Sequence, residues 1–153
     1  MGTSITAADL TVTVSENLTL NGVQQGSSNK ITLSDIAEFS RRIVTVPTSE
    51  VSIVAFGDAV GAGTFHNTDV LYIRFTNLDN AYYVTLNFEG ANTTDFSIRL
   101  DKNRGTHIIT ATHATLGVDD YCDVAASTLE KLETIKATAN TGTCDVEVVV
   151  ASK

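Results

Sequence analysis

The chain has 153 residues, a formal net charge of −8, two cysteines, one proline and no tryptophan. A chain of this length suits one domain that holds its own core, because folding buries roughly 70% of the surface the unfolded chain exposes. Its basic residues are scattered, with Arg41-Arg42 the only adjacent pair. That argues against a nucleic-acid partner, which needs a basic stripe to neutralise phosphates. No run approaches the roughly 20 apolar residues of a membrane-spanning helix, so no membrane partner is expected either.

Residues 1–9 are polar and aperiodic and read as a flexible arm or an initial edge strand. They lack the basic and apolar regions of a signal peptide. Gly2 and Thr6 match the loose N-myristoylation pattern, but without the polybasic support that stable anchoring needs. Residues 10–14 alternate and are followed by Leu18 and Leu20. Asn21-Gly22 then marks a turn, since both residues tolerate positive φ. A second turn is expected around Gly26-Ser27-Ser28, with a strand resuming at 30–33. Ser34-Asp35, with Glu38 three residues after Asp35, predicts a short helical turn through Phe39. Residues 42–46 are strand-like and end at Pro47, whose missing N–H restricts it to an edge or a strand end. Another strand is expected at 51–56. Residues 57–69, with Gly57, Gly61 and Gly63, read as a long hairpin connection. They lack the glycine-lysine pattern and the following helix of a phosphate-binding loop.

Period-two alternation dominates the rest. Leu71, Ile73 and Phe75 oppose Tyr72, Arg74 and Thr76, and Val84, Leu86 and Phe88 oppose Tyr83, Thr85 and Asn87. Cys144, Val146, Val148 and Val150 oppose Asp145, Glu147 and Val149. Successive side chains of a strand project to opposite faces, so each run predicts a half-buried antiparallel strand. Asn77-Leu78-Asp79-Asn80 reads as a tight hairpin between the first two runs. Strands follow at 96–100 and 106–110, and 112–127 is irregular. Residues 128–136 have helical composition, yet Ile135, Ala137 and Ala139 alternate. A C-terminal hairpin from about Thr134, preceded by at most one helical turn, is the reading taken. About eight or nine short strands predict an all-β antiparallel sandwich or jelly-roll-like fold in a single domain.

No catalytic constellation accompanies this pattern. There is no Gly-x-Ser-x-Gly elbow. His66, His107 and His113 are the only histidines, and none has a recognisable acid–base setting. Asp119-Asp120-x-x-Asp123 is the densest acidic cluster and offers the oxygen ligands Ca²⁺ takes, but the ordered calcium-loop pattern is absent and a solvated loop is the simpler account. Tyr82, Tyr83 and Phe65 suggest a sugar-stacking platform. The alternation, however, assigns Tyr82 to the core and leaves Tyr72 and Tyr83 as a surface cross-strand pair. Cys122 and Cys144 read as free thiols, although a bridge would close a loop of about 20 residues. They cannot make a zinc site without histidines at ligand spacing. Asn17-Leu18-Thr19 and Asn92-Thr93-Thr94 are formal glycosylation acceptors that read as polar strand and turn residues. The expectation is a non-enzyme with no catalytic, cofactor or metal residues.

Three segments carry a family resemblance. They are Leu20-Asn21-Gly22 with IAEFSRRIVTV at 36–46, LYIRFTNLDNAYYVTLNF at 71–88, and IKATANTGTCDVEVVVASK at 135–153. Together they resemble small virion structural proteins of tailed bacteriophages. The resemblance implies an all-β protein made in the host cytoplasm and assembled into the virion, where it decorates or cements the capsid. It implies the major capsid protein or other virion proteins as partners, and self-association, with a trimer favoured. A tail or fibre-attachment component and a carbohydrate-binding sandwich are the alternatives. No long arm is visible, so reach over neighbours is expected to depend on residues 1–9 and 57–69. Outward apolar residues such as Val149 are expected to be buried between copies.

Overall fold

Alternating apolar side chains leave each strand one face to bury, and stacking two sheets buries both at once. The computed structural model describes residues 5–58, 61, 63–91, 95–110, 117–118 and 130–153, and every regular element among them is a strand. In chain order these are β1 (Ala8–Ser15), β2 (Thr19–Leu20), β3 (Val23–Gln24), β4 (Ser28–Ile36), β5 (Glu38–Val46), β6 (Val51–Phe56) and β7 (Thr64–Phe65). Then come β8 (Val70–Asn77), β9 (Val84–Gly90), β10 (Asp95–Leu100), β11 (Thr106–Thr110), β12 (Gly117–Val118), β13 (Glu130–Ala139) and β14 (Cys144–Ser152).

One sheet of the body has the order β11-β8-β14-β5. The other runs β10-β9-β13-β6, with β7 beyond β6 and β12 against β13. The two orders match position by position: β5 with β6, β14 with β13, β8 with β9 and β11 with β10. The chain therefore crosses between sheets at each of these steps, which is the eight-stranded jelly-roll arrangement. The all-β expectation holds, and the alternation identified the inter-sheet face of β9, of β14 and of β8 from Ile73 onward; Leu71, expected beside Ile73 and Phe75, lies instead with Tyr72 on the other face, at a register shift between Ala151 and Ser152.

The connections differ from expectation. Residues 77–80 and 140–143 are arches between sheets, not hairpins, because β8 pairs with β11 and β14 while β9 pairs with β10 and β13. Alternation shows which face of a strand is buried but not which strand lies beside it. The first arch is held by a buried polar knot. The Asn77 amide donates to the carbonyls of Tyr82 (3.0 Å) and Leu100 (3.2 Å), and its oxygen accepts from the Asp79 N–H at 2.9 Å. Asp79 in turn accepts from the N–H groups of Ala81 and Tyr82. Residues 57–69 likewise do not join a hairpin: β7 runs parallel to β6 and the chain then crosses to β8. The helical turn expected at 34–39 is absent. β4 runs on to Ile36, and Asp35 at φ 64° sits in a register shift past which Ile36 still pairs with Ala8 of β1. The helix-like composition after residue 128 is overridden as well, since β13 is clamped between β6 and β9.

Two apolar clusters result. The larger fills the space between the sheets, with Phe75 edge-on to Phe88 at 6.3 Å and Ile73, Leu86, Ile135 and Val148 around them. The smaller lies on the opposite face of the β11-β8-β14-β5 sheet. There Leu71, Tyr72, Val149 and Ala151 are covered by Leu10, Val12, Leu33 and Ile36 of a hairpin formed by β1 and β4. Val149 is therefore buried by its own chain and is not available to a second copy.

Deleting the Phe75 ring removes the centre of the larger cluster, and Phe75→Ala is expected to cost about 3–5 kcal/mol of stability in urea denaturation. Asn77→Ala strands the buried Leu100 carbonyl and the partly buried Tyr82 carbonyl, and is expected to cost about 1–3 kcal/mol in the same measurement. A near-neutral Asn77→Ala would contradict the role given to the knot.

Candidate interaction surface

The β1–β4 hairpin is amphipathic by register. Leu10 lies opposite Leu33, Val12 opposite Ile31 and Val14 opposite Asn29. The alternate pairs are Thr11 with Thr32, Thr13 with Lys30 and Ser15 with Ser28. Directly opposed residues share a face, so one side of the ladder is apolar and the other is hydroxylated and polar. At its base the apolar side packs on Tyr72 and Val149. Beyond Val12 that support ends, and from residue 13 to 32 every residue except Gly26 is exposed.

The projecting part is nevertheless well tied together. The Glu16 N–H donates to the Ser27 carbonyl and the Gln25 N–H to the Leu18 carbonyl, both at 2.7 Å. Ser27 Oγ donates to the Glu16 carboxylate at 3.0 Å and the Gln24 amide to Asn17 Oδ1 at 2.8 Å. Gly26 sits directly on the Glu16 carbonyl, where a Cβ would collide with backbone. At the tip Leu20 pairs with Val23 across Asn21-Gly22, whose φ values of 50° and 78° supply the turn.

The sheet face under the hairpin base continues into an open region. Its register places Phe39, Ala151, Tyr72 and Thr110 in one row, and Arg41, Val149, Arg74 and Ile108 in the next. The third row is Ile43, Glu147, Thr76 and Thr106. A groove of about 430 Å³ lies between β1 and this face, lined by Leu10 and Val12 of β1 and by Phe39, Arg41, Tyr72 and Val149 of the sheet. Glu147 is buried and is held by two guanidiniums, Arg41 at 2.6 Å and Arg74 at 2.5 Å. Burial raises the Tyr72 hydroxyl pKa above its ordinary value; Arg74 works against that shift and Glu147 with it.

Among the described residues β5 is hydrogen-bonded along one edge only, to β14. Its inward face carries Arg42, which donates to the Ile53 carbonyl and packs on Gly63. Gly63, at φ 83°, has no room for a Cβ beside that guanidinium. The Arg42 Nε has no acceptor among the described residues. An inward-pointing charge on an edge strand discourages another strand from adding there. Contact through the outer face is therefore favoured over contact through the β5 edge.

The residues weighed from sequence do not converge. His66 fastens its own loop, with Nδ1 2.5 Å from Thr68 Oγ1 and Nε2 3.3 Å from Asp58. His107 faces the core edge-on to Phe88 at 6.0 Å, and burial lowers its pKa. His113, Asp119, Asp120, Asp123, Cys122 and the Asn92 acceptor lie outside the described residues. Among the described residues, no three His, Cys, Asp or Glu side chains gather as metal ligands would. The aromatic platform does not form. Phe65 is buried, Tyr83 packs under Arg99 at 4.0 Å, and Tyr82, assigned to the core from sequence, is exposed and lies against Gly142. Tyr72 is buried beneath the hairpin in a different sheet from the strand after Tyr83, so the two do not pair. Cys144 is buried, with no disulfide partner among the described residues, and its thiol pKa is raised, chiefly by burial. The element that sequence reasoning missed is the projecting hairpin. Its strand signals and Asn-Gly turn were visible, but its lack of support was not. No protein-family model, curated protein or solved structure matches the chain.

Truncating Glu147→Ala leaves Arg41 and Arg74 without their acceptor, and is expected to destabilise by about 1–3 kcal/mol. Arg41→Ala should cost under about 1 kcal/mol, because that side chain is 67% exposed. Urea denaturation of both variants checks the order. Burial lowers the pKa of His107 in the folded chain, so over the interval between the lowered and the ordinary value it binds fewer protons in the native chain than in the unfolded one. Its contribution is full above roughly pH 6.5 and is lost as pH falls through and below that value. His107→Gln should flatten that part of the stability–pH profile.

Proposed function

We propose that this chain is a virion structural protein of the capsid-decoration type, stabilising a phage head through contacts with the shell and with copies of itself. The observation that carries the reading is the projecting amphipathic hairpin on a rigid double-sheet body. A two-stranded ribbon is only marginally stable alone in water. One that extends a row of apolar side chains past its own domain gains most when another protein covers it. The jelly-roll order supports the reading, since such double sheets occur in viral capsid domains, though also in lectins and cupins. The segments that resemble tailed-phage virion proteins map onto the hairpin tip, onto β5, onto the β8–β9 arch and onto β13–β14. They thus include both the projecting element and the strands of the open face. Many weak contacts repeated over a lattice would give firm attachment without any single tight site.

Co-sedimentation of the purified chain with phage heads lacking it tests the proposal. Saturable binding at a fixed copy number per capsomer, with a raised temperature of head disruption, is the expected result. A chain that stays in the supernatant at all ratios would refute the proposal.

A further inference from the structure

We infer that the distal apolar face of the hairpin docks on the uncovered outer face of the β11-β8-β14-β5 sheet of a second copy of this chain. The inference rests on the self-association in the proposed function and names the surfaces that make it.

The first ground is continuity. Leu10 and Leu33 are already seated on this sheet within the chain, and Val12, Ile31 and Val14 extend the same row outward on the same face of the ladder. Leu20 and Val23 at the tip are 58% and 57% exposed. The receiving sheet likewise continues past the hairpin base, with Phe39 57% and Ile43 63% exposed and Ile108 beyond them. A face that binds one half of this hairpin has, next to it, an open area where Phe39, Ile43 and Ile108 surround the neutralised Arg41–Glu147–Arg74 cluster. In a second copy that area can take the half left uncovered.

Charge is the second ground. A chain with a net charge of −8 repels its own copies unless the touching surfaces are neutral. Residues 13–32 carry one acid, Glu16, and one base, Lys30. The outer sheet face carries Arg41 and Arg74 against Asp145 and Glu147. Both surfaces therefore balance to zero, and the excess negative charge lies elsewhere on the molecule.

Size is the third. Residues 13–32 are twenty residues, of which one face, about half, would meet the partner; with the receiving face that each copy also contributes, this approaches the roughly 20–30 residues a side of a standard interface. Each copy gives a hairpin and receives one, so the contact closes either as a heterologous small ring or as an isologous two-fold pair.

The test uses the full chain in sedimentation velocity over a concentration series, with Leu20→Asp and Ile43→Thr as variants, the second kept uncharged because Ile43 lies directly opposite Glu147. Both side chains are exposed, so circular dichroism and the melting temperature of the dissociated chain should be unchanged. Reversible association of the wild type, weakened at least about tenfold by either variant, is expected, and a tenfold change corresponds to about 1.4 kcal/mol. A photo-crosslinker placed at residue 20 in an equal mixture of heavy- and light-isotope chains should join that position to β5 of the other chain. A wild type that stays monomeric, or an oligomer indifferent to both substitutions, would overturn the inference, as would a crosslink confined to the same chain or found only to capsid protein. An oligomer built through other surfaces defeats this inference and leaves head binding standing. An assembly of the kind described that ignores phage heads defeats the decoration reading and leaves the inference standing.

Discussion

The β11-β8-β14-β5 sheet needs cover on both faces, and the rest of the molecule follows from that need. Along β14, Val146, Val148 and Val150 point into the space between the sheets, while Val149 and Ala151 point the other way. A sandwich protects only the first set. The second set is covered by the base of the β1–β4 hairpin, which adds a partial third layer. Glu147 lies on the same outward face just past that layer. It is compatible with burial only because Arg41 and Arg74 reach it from the strands on either side.

The hairpin solves one burial problem and leaves another. Its ladder runs on past the sheet edge with its apolar side still facing the same way. The strands cannot simply stop at Val12, because the turn that joins them lies at Asn21-Gly22. Cross-strand bonds at Glu16 and Gln25 keep the extension in register. A short surface loop could have made the same connection. An ordered ribbon with a row of uncovered leucine and valine suits a chain whose folding is completed by another molecule. That logic joins the proposed decoration role to the inferred contact between copies.

Much of this was legible in the chain. The inward residues of β9, β14 and β8 from Ile73 onward followed from period-two alternation, Leu71 being turned to the other face by an irregularity the period cannot show, and the turn at Asn21-Gly22 followed from its tolerance of positive φ. The arches did not follow, because a two-residue period is identical for a strand whose neighbour in sequence lies beside it and one whose neighbour lies across the core. Tyr72 and Val149 were placed outside for the same reason. Alternation assigned them to the second face but carried no sign that the chain's first strands would fold over it. The helix expected near residue 35 failed because capping chemistry is local, whereas the pairing of β4 with β1 carries on through a left-handed Asp35 as far as Ile36. The projecting hairpin could have been suspected from its alternate Thr, Ser and Lys positions, which leave the opposite positions to Leu, Val and Ile.

Native-state hydrogen exchange tests the central claim most directly, because it reads the support under each rung of the hairpin ladder. In the dilute, dissociated chain the amides around Leu10 and Leu33 should exchange slowly, those from Val14 through the tip should exchange fast, and the boundary should fall near the Val12–Ile31 pair. Uniform protection along the whole hairpin in the dissociated chain, or a base that exchanges as fast as the tip, would contradict the account.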